Sequence, residues 1–173
     1  ITCHNIDVSS AVPELEMDRP FNVMSELKGE ITGVCYLHAD TEQAITLLPS
    51  SMKNASMEDK REMAEHFVLA IDNIVTAAMV SVLSDALDLS FYAFIPHLVK
   101  QTKSELSAEI ENQSDKFAEK LSFKTIFEAK DIDGSVRLEF LWLLDNLYKD
   151  KFDHTLNSDE LTKKYEKVLE KYV

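Results

Sequence analysis

From Ile74 to Leu83 only Thr76 and Ser81 are polar, within the longer stretch AEHFVLAIDNIVTAAMVSVLSDALDLSFYAFIPHLV that begins at Ala64. A helix that is apolar on every side belongs in an interior or against an oily cavity. The pattern therefore predicts a buried central helix from Met57 to about Ser84. Asp72, Asn73, Asp85 and Asp88 interrupt the run, which falls short of the roughly 20 uninterrupted apolar residues that cross a bilayer. No membrane span is expected.

Other segments read as shorter helices. Residues 21–28, FNVMSELK, end at Gly29, a suitable left-handed cap. Residues 30–48 place Ile31, Val34, Cys35, Leu37 or His38, Ala44, Ile45 and Leu48 near one face, and Pro49 closes them. Ser56 caps the central helix, with Asp59 near the positive end of its dipole. Thr102-Lys103-Ser104-Glu105 is a capping box, followed by Leu106, Ile110, Phe117, Leu121 and Phe127. After a turn at 129–135, Ser135 caps a helix striped by Val136, Phe140, Leu143, Leu144 and Leu147. A final helix begins near Asn157 and carries Leu161, Tyr165, Val168, Leu169 and Tyr172. Strand-rich folds need frequent turns, and 3 glycines with 4 prolines supply few. The expected fold is all-α: one domain over residues 1–173, a bundle of about six or seven helices around the hydrophobic one. Residues 1–19 are expected as an N-terminal arm.

Charge narrows the partners. A net charge of −13 and a pI near 4.7 repel nucleic acid and anionic membrane surfaces. The opening ITCHNID, with no initiator Met, reads as a mature secreted protein or a trimmed chain. Asn54-Ala55-Ser56 and Asn112-Gln113-Ser114 satisfy the glycosylation sequon. Cys3 and Cys35 are the only cysteines and are expected to pair, tethering the arm. In the chain-entropy model, such a loop of roughly 33 residues contributes about 3–4 kcal/mol. These features together point to an extracellular setting.

Little in the chain carries chemistry. FKTIFEAKDIDGSVRLE at 123–139 resembles the entering helix and loop of an EF-hand, with Asp131, Asp133 and Ser135 as the first oxygen donors. Position six is Val136 where calcium loops need glycine, and position twelve is Trp142 where they need a bidentate glutamate. The loop is therefore read as turn-and-cap chemistry, and no metal site is expected. Histidines 4, 38, 66, 97 and 154 form no H-x-x-x-H or H-E-x-x-H pattern. Three glycines exclude phosphate-binding and nucleophile-elbow loops. No catalytic residue and no cofactor follow.

What remains is binding. Phe91, Tyr92 and Phe94 follow a helix break, next to Pro96 and His97, and read as core, pocket mouth or anchor patch. With the central helix they give a candidate hydrophobic pocket of Ile74, Met79, Val82, Phe91 and Phe94. The leading expectation is a secreted, cytokine-like ligand that presents helix faces to a protein receptor. The second is an extracellular carrier of fatty acids or other small hydrophobic ligands in a helix-lined cavity. Oligomeric state is not set by the sequence.

Overall fold

Val136, Leu138, Phe140, Trp142 and Leu144 alternate with the period of two that a strand imposes, and strands dominate the architecture. In this computed structural model residues 2–9, 20–99, 103–115, 120–131 and 134–145 are described, with side-chain burial for 21–99, 104–113 and 137–145. In chain order the elements are β1 (Thr2–Ser9), β2 (Pro20–Gly29), β3 (Gly33–Asp40), α1 (Thr41–Thr46), α2 (Met57–Leu87), β4 (Phe91–Ala93), β5 (His97–Leu98), α3 (Lys103–Asp115), β6 (Lys120–Asp131) and β7 (Gly134–Asp145). A 3-10 turn at Ser50–Met52 precedes α2. The strands form one sheet in the order β1-β6-β7-β3-β2-β4, with β5 also on β2, and every pairing is antiparallel.

This corrects the all-α expectation. The segment 21–28 is strand β2, and 30–48 divides into β3 and α1. The helix opened by the capping box stops at Asp115, and Leu121 and Phe127 lie in β6. The stripe from Val136 to Leu144 belongs to β7. The expected N-terminal arm contains β1, which pairs with β6. The helix expected from Asn157 lies outside the described residues.

The reason is burial on both faces. Seven consecutive residues of β3, from Gly33 to Ala39, are buried, so the strand shows neither clean alternation nor a helical period. On one face Val23, Leu27, Cys35, Leu37, Phe140, Trp142 and Leu144 meet Ala64, Val68 and Val80 of α2. On the other, Val34, Tyr36, Leu141 and Leu143 meet Leu106 and Ile110 of α3. The sheet is thus the middle layer between two helices. Gly33 sits so close to β7 that a Cβ there would strike the Leu143 carbonyl oxygen. Gly29 ends β2 at φ 135°, where a side chain would be strained.

Helix α2 forms where the sequence predicts it. The Ser56 hydroxyl accepts the Asp59 N–H at 3.1 Å, and Asp88 ends the helix in the left-handed region at φ 52°. Its burial differs from expectation. Ala64, Val68, Asp72, Thr76 and Val80 recur every four residues as one buried stripe, while Ile74 is 68% exposed and Val82 39%. By length and composition the helix could cross a membrane. Here it lies along one face of the sheet, and nothing among the described residues covers its outer side.

Candidate functional site

The residues singled out in the sequence do not converge. Cys35 is buried and free, which corrects the expected bridge. Cys3 lies opposite Phe127, Phe127 opposite Leu138, and Leu138 opposite Ala39. Three strand spacings of roughly 4.8 Å therefore separate β1 from β3, beyond the reach of a disulfide. The candidate pocket also fails to assemble. Ile74, Val82 and Phe94 face solvent, Phe91 is core, and Met79 packs against that core. Lys28 Nζ sits 4.4 Å above the Phe94 ring. A cleft of about 280 Å³ lies elsewhere, between α1 and the start of α2, lined by Ile45, Leu48, Met52, Lys53 and Lys60 among others. Asn54 is exposed in the turn before α2 and Asn112 is exposed on α3; exposure is a condition for glycosylation, not a sign of it. The EF-like stretch belongs to the β6–β7 hairpin, with Asp131 paired to Gly134. Residues 134–142 are extended in β7 and do not wrap a cation. Among the described residues no group of three metal-ligating side chains forms.

The feature that stands out is the outer face of α2. Met63, Phe67, Ala70, Ile74, Ala77 and Ser81 follow one another at alternating steps of four and three, and all six are exposed. That spacing keeps residues on one side of a helix. Met63 is 43% exposed and Phe67 38%, and Ala78 and Val82 widen the strip. From His66 to Ser84 its exposed polar groups are His66, Asn73 and Ser81, and the one carboxylate in that interval, Asp72, points into the protein. A contiguous apolar surface of this kind marks an interaction site.

Beneath it lies a buried polar group. The Ser25 hydroxyl donates to Asp72 Oδ2 at 2.6 Å, and Thr76 Oγ1 donates to Cys35 Sγ at 3.8 Å. Burial pushes the Asp72 carboxyl up to about 6, against the lowering effect of Ser25 and Thr76. Burial, then the charge on Asp72, pushes the Cys35 thiol well above its usual range. A second polar row crosses the opposite face of the sheet. Asn22, His38 and Glu139 stand side by side on β2, β3 and β7. His38 Nδ1 and Asn22 Oδ1 are 2.7 Å apart, and Arg137 pairs with Glu139 at 2.8 Å. Tyr36 stacks beside His38, and burial, with Glu109 nearby, pushes its hydroxyl above its ordinary value. Sequence reasoning missed this row. It exists only through the register of three strands, and no local spacing signals it.

No protein-family model matches the chain, and no curated protein matches it in sequence. Solved structures do resemble it. The CheX–CheY–BeF3–Mg2+ complex from Borrelia burgdorferi contains a chain with a TM-score of 0.50 at 17% identity, covering 82% of this chain and 85% of that one. The fold is shared with CheX. A CheC-like superfamily protein from Shewanella sp. PV-4 follows at 0.49 and 14%, over 81% and 82% of the two chains. The chemotaxis protein CheX from Desulfovibrio desulfuricans stands at 0.49 and 12%, over 82% and 84%. The CheX-like fold removes the bundle on which the cytokine-like ligand, its receptor and the hydrophobe carrier all rested. Secretion loses its structural support with the free Cys35, and the lipid-binding reading falls with the helix-lined cavity.

Proposed function

We propose that this chain is a protein-docking module on a CheX-like scaffold and that it binds a response-regulator receiver domain through the outer face of α2. The observation that carries the reading is the exposed strip from Met63 to Val82 on a helix whose other side is packed against the sheet. The partner class is suggested by the neighbour solved with CheY, BeF3 and Mg2+. Beryllofluoride with magnesium mimics an acyl phosphate on a carboxylate, so the form bound is the phosphorylated one. The reading is of binding without turnover. The strip offers a docked partner one amide, one hydroxyl and one imidazole between His66 and Ser84, and no exposed carboxylate to orient an attacking water. An intracellular setting goes with it, supported by an unbridged thiol in the core. Residues 1–173 are taken as one unit, since one sheet includes strands from Thr2 to Asp145.

Fluorescence anisotropy of a panel of labelled CheY receiver domains, with and without BeF3 and Mg2+, tests the proposal. Saturable binding that tightens by about tenfold or more, roughly 1.4 kcal/mol, with beryllofluoride is expected. Equal affinity in both states, or no binding across the panel, contradicts it.

A further inference from the structure

We infer that the cleft between α1 and the start of α2 is a binding site for a small organic phosphate. The site is separate from the outer face of α2 and does not depend on what docks there. Its volume is about 280 Å³, room for about nine water-sized groups at roughly 30 Å³ each. Ile45, Leu48 and Met52, all half-buried, form an apolar wall. Ser50, Lys53 and Lys60 supply a polar side, and none of the residues lining the cleft is acidic. An apolar wall with a few convergent polar groups is the usual form of a small-molecule site.

Charge selects the ligand. Lys60 Nζ donates to the Lys53 carbonyl oxygen at 2.8 Å. An ammonium has three N–H donors and a carbonyl carries no net charge, so this bond fixes the group in place and leaves its charge uncompensated. Among the described residues neither Lys53 nor Lys60 forms an ion pair, whereas Lys28 pairs with Glu26 and Arg137 with Glu139. The nearby Asp59 is engaged by the helix cap, where its carboxylate accepts the Ser56 hydroxyl at 2.7 Å. Two unpaired cations thus share one cleft in a chain of net charge −13. A monocarboxylate balances one of them. A phosphate monoester carries nearly two negative charges at neutral pH and several acceptor oxygens, enough for both ammonium groups and the Ser50 hydroxyl. Its organic body then rests on Ile45, Leu48 and Met52. Lys60 continues the buried stripe of Ala64, Val68 and Asp72 in steps of four, which places the site at the inner end of α2.

Phenyl phosphate, titrated into the full chain and followed by backbone amide NMR shifts, is the test, with benzoate and inorganic phosphate as comparisons. Saturable shifts are expected at Ser50, Met52, Lys53 and Lys60, with a dissociation constant of about 1 mM or below. Benzoate has a single charge and inorganic phosphate has no apolar body, so each should bind about tenfold more weakly or worse. Lys53→Met removes one charge and keeps the carbonyl that holds Lys60. It should melt like the wild type and bind phenyl phosphate about tenfold more weakly. Lys60→Met should lose at least as much affinity. Four results overturn the inference: no saturation up to about 20 mM, shifts spread over lysines elsewhere in the chain, benzoate or inorganic phosphate binding as tightly as phenyl phosphate, or a Lys53→Met protein with wild-type affinity.

Discussion

Asp72 shows how one side chain records its surroundings. It is fully buried beneath the exposed strip of α2, held by Ser25, with its pKa raised to about 6 from an ordinary 3.8. A carboxyl that keeps its proton longer in the folded state makes folding less favourable as pH rises. The cost is absent below about pH 3.8, grows up to about 6 and is constant above that. The shift corresponds to an upper bound of about 3 kcal/mol. Asp72→Asn should therefore raise the melting temperature at pH 7–8, with the gain disappearing near pH 4; thermal melts across that range check it. A loss of stability at neutral pH would show that the charged form is favoured in place. The thiol of Cys35 offers a second check at this scale. Buried and held protonated, it should react with a thiol probe only once the protein is unfolded. The sequence marks Asp72 as a polar interruption in an apolar run. Its partners, 47 residues away at Ser25 and 37 residues away at Cys35, become visible only when β2 and β3 lie beneath the helix.

At the scale of elements, α2 was legible in place, cap and length but not in burial. Its composition is apolar on all sides, and a helix with one packed face and one interaction face reads from sequence like a central helix. Two substitutions separate the faces. Val68 is fully buried, so Val68→Asp should cost about 3 kcal/mol or more through an unpaired core charge. Ile74→Asp, on the outer face, should leave the monomer's stability within about 1 kcal/mol. Chemical denaturation of both variants decides this, and equal losses would mean that Ile74 is covered. The strands were harder to read. β3 is buried on both sides, so its pattern matches neither period. β7 alternates only from Val136 to Phe140 and then runs apolar and buried on both faces to Leu144, so that Val136, Phe140, Leu143 and Leu144 also satisfy a helical stripe. The clearest missed cue is the polar stretch KDIDGS at 130–135 between FKTIF and VRLEF, whose Asp and Gly residues favour a turn between two strands. Its acidic residues made it resemble a calcium loop instead. Because residues 134–142 are extended, millimolar calcium should leave the melting temperature unchanged. A rise reversed by EDTA would contradict the hairpin.

For the whole molecule, one antiparallel sheet holds α2 on one face and α3 on the other, and the outward side of α2 is the surface best suited to a partner. The acidic balance was legible. The direction in which the apolar helix faces was not, because that depends on a sheet whose strands were read as helices. The central claim is that the strip from Met63 to Val82 is where a receiver domain docks. Calorimetric titration of CheY–BeF3 into the wild type and into Ile74→Asp, matched in melting temperature, tests it most directly. The account predicts that the variant binds at least about tenfold more weakly; equal affinity for the two proteins would contradict it.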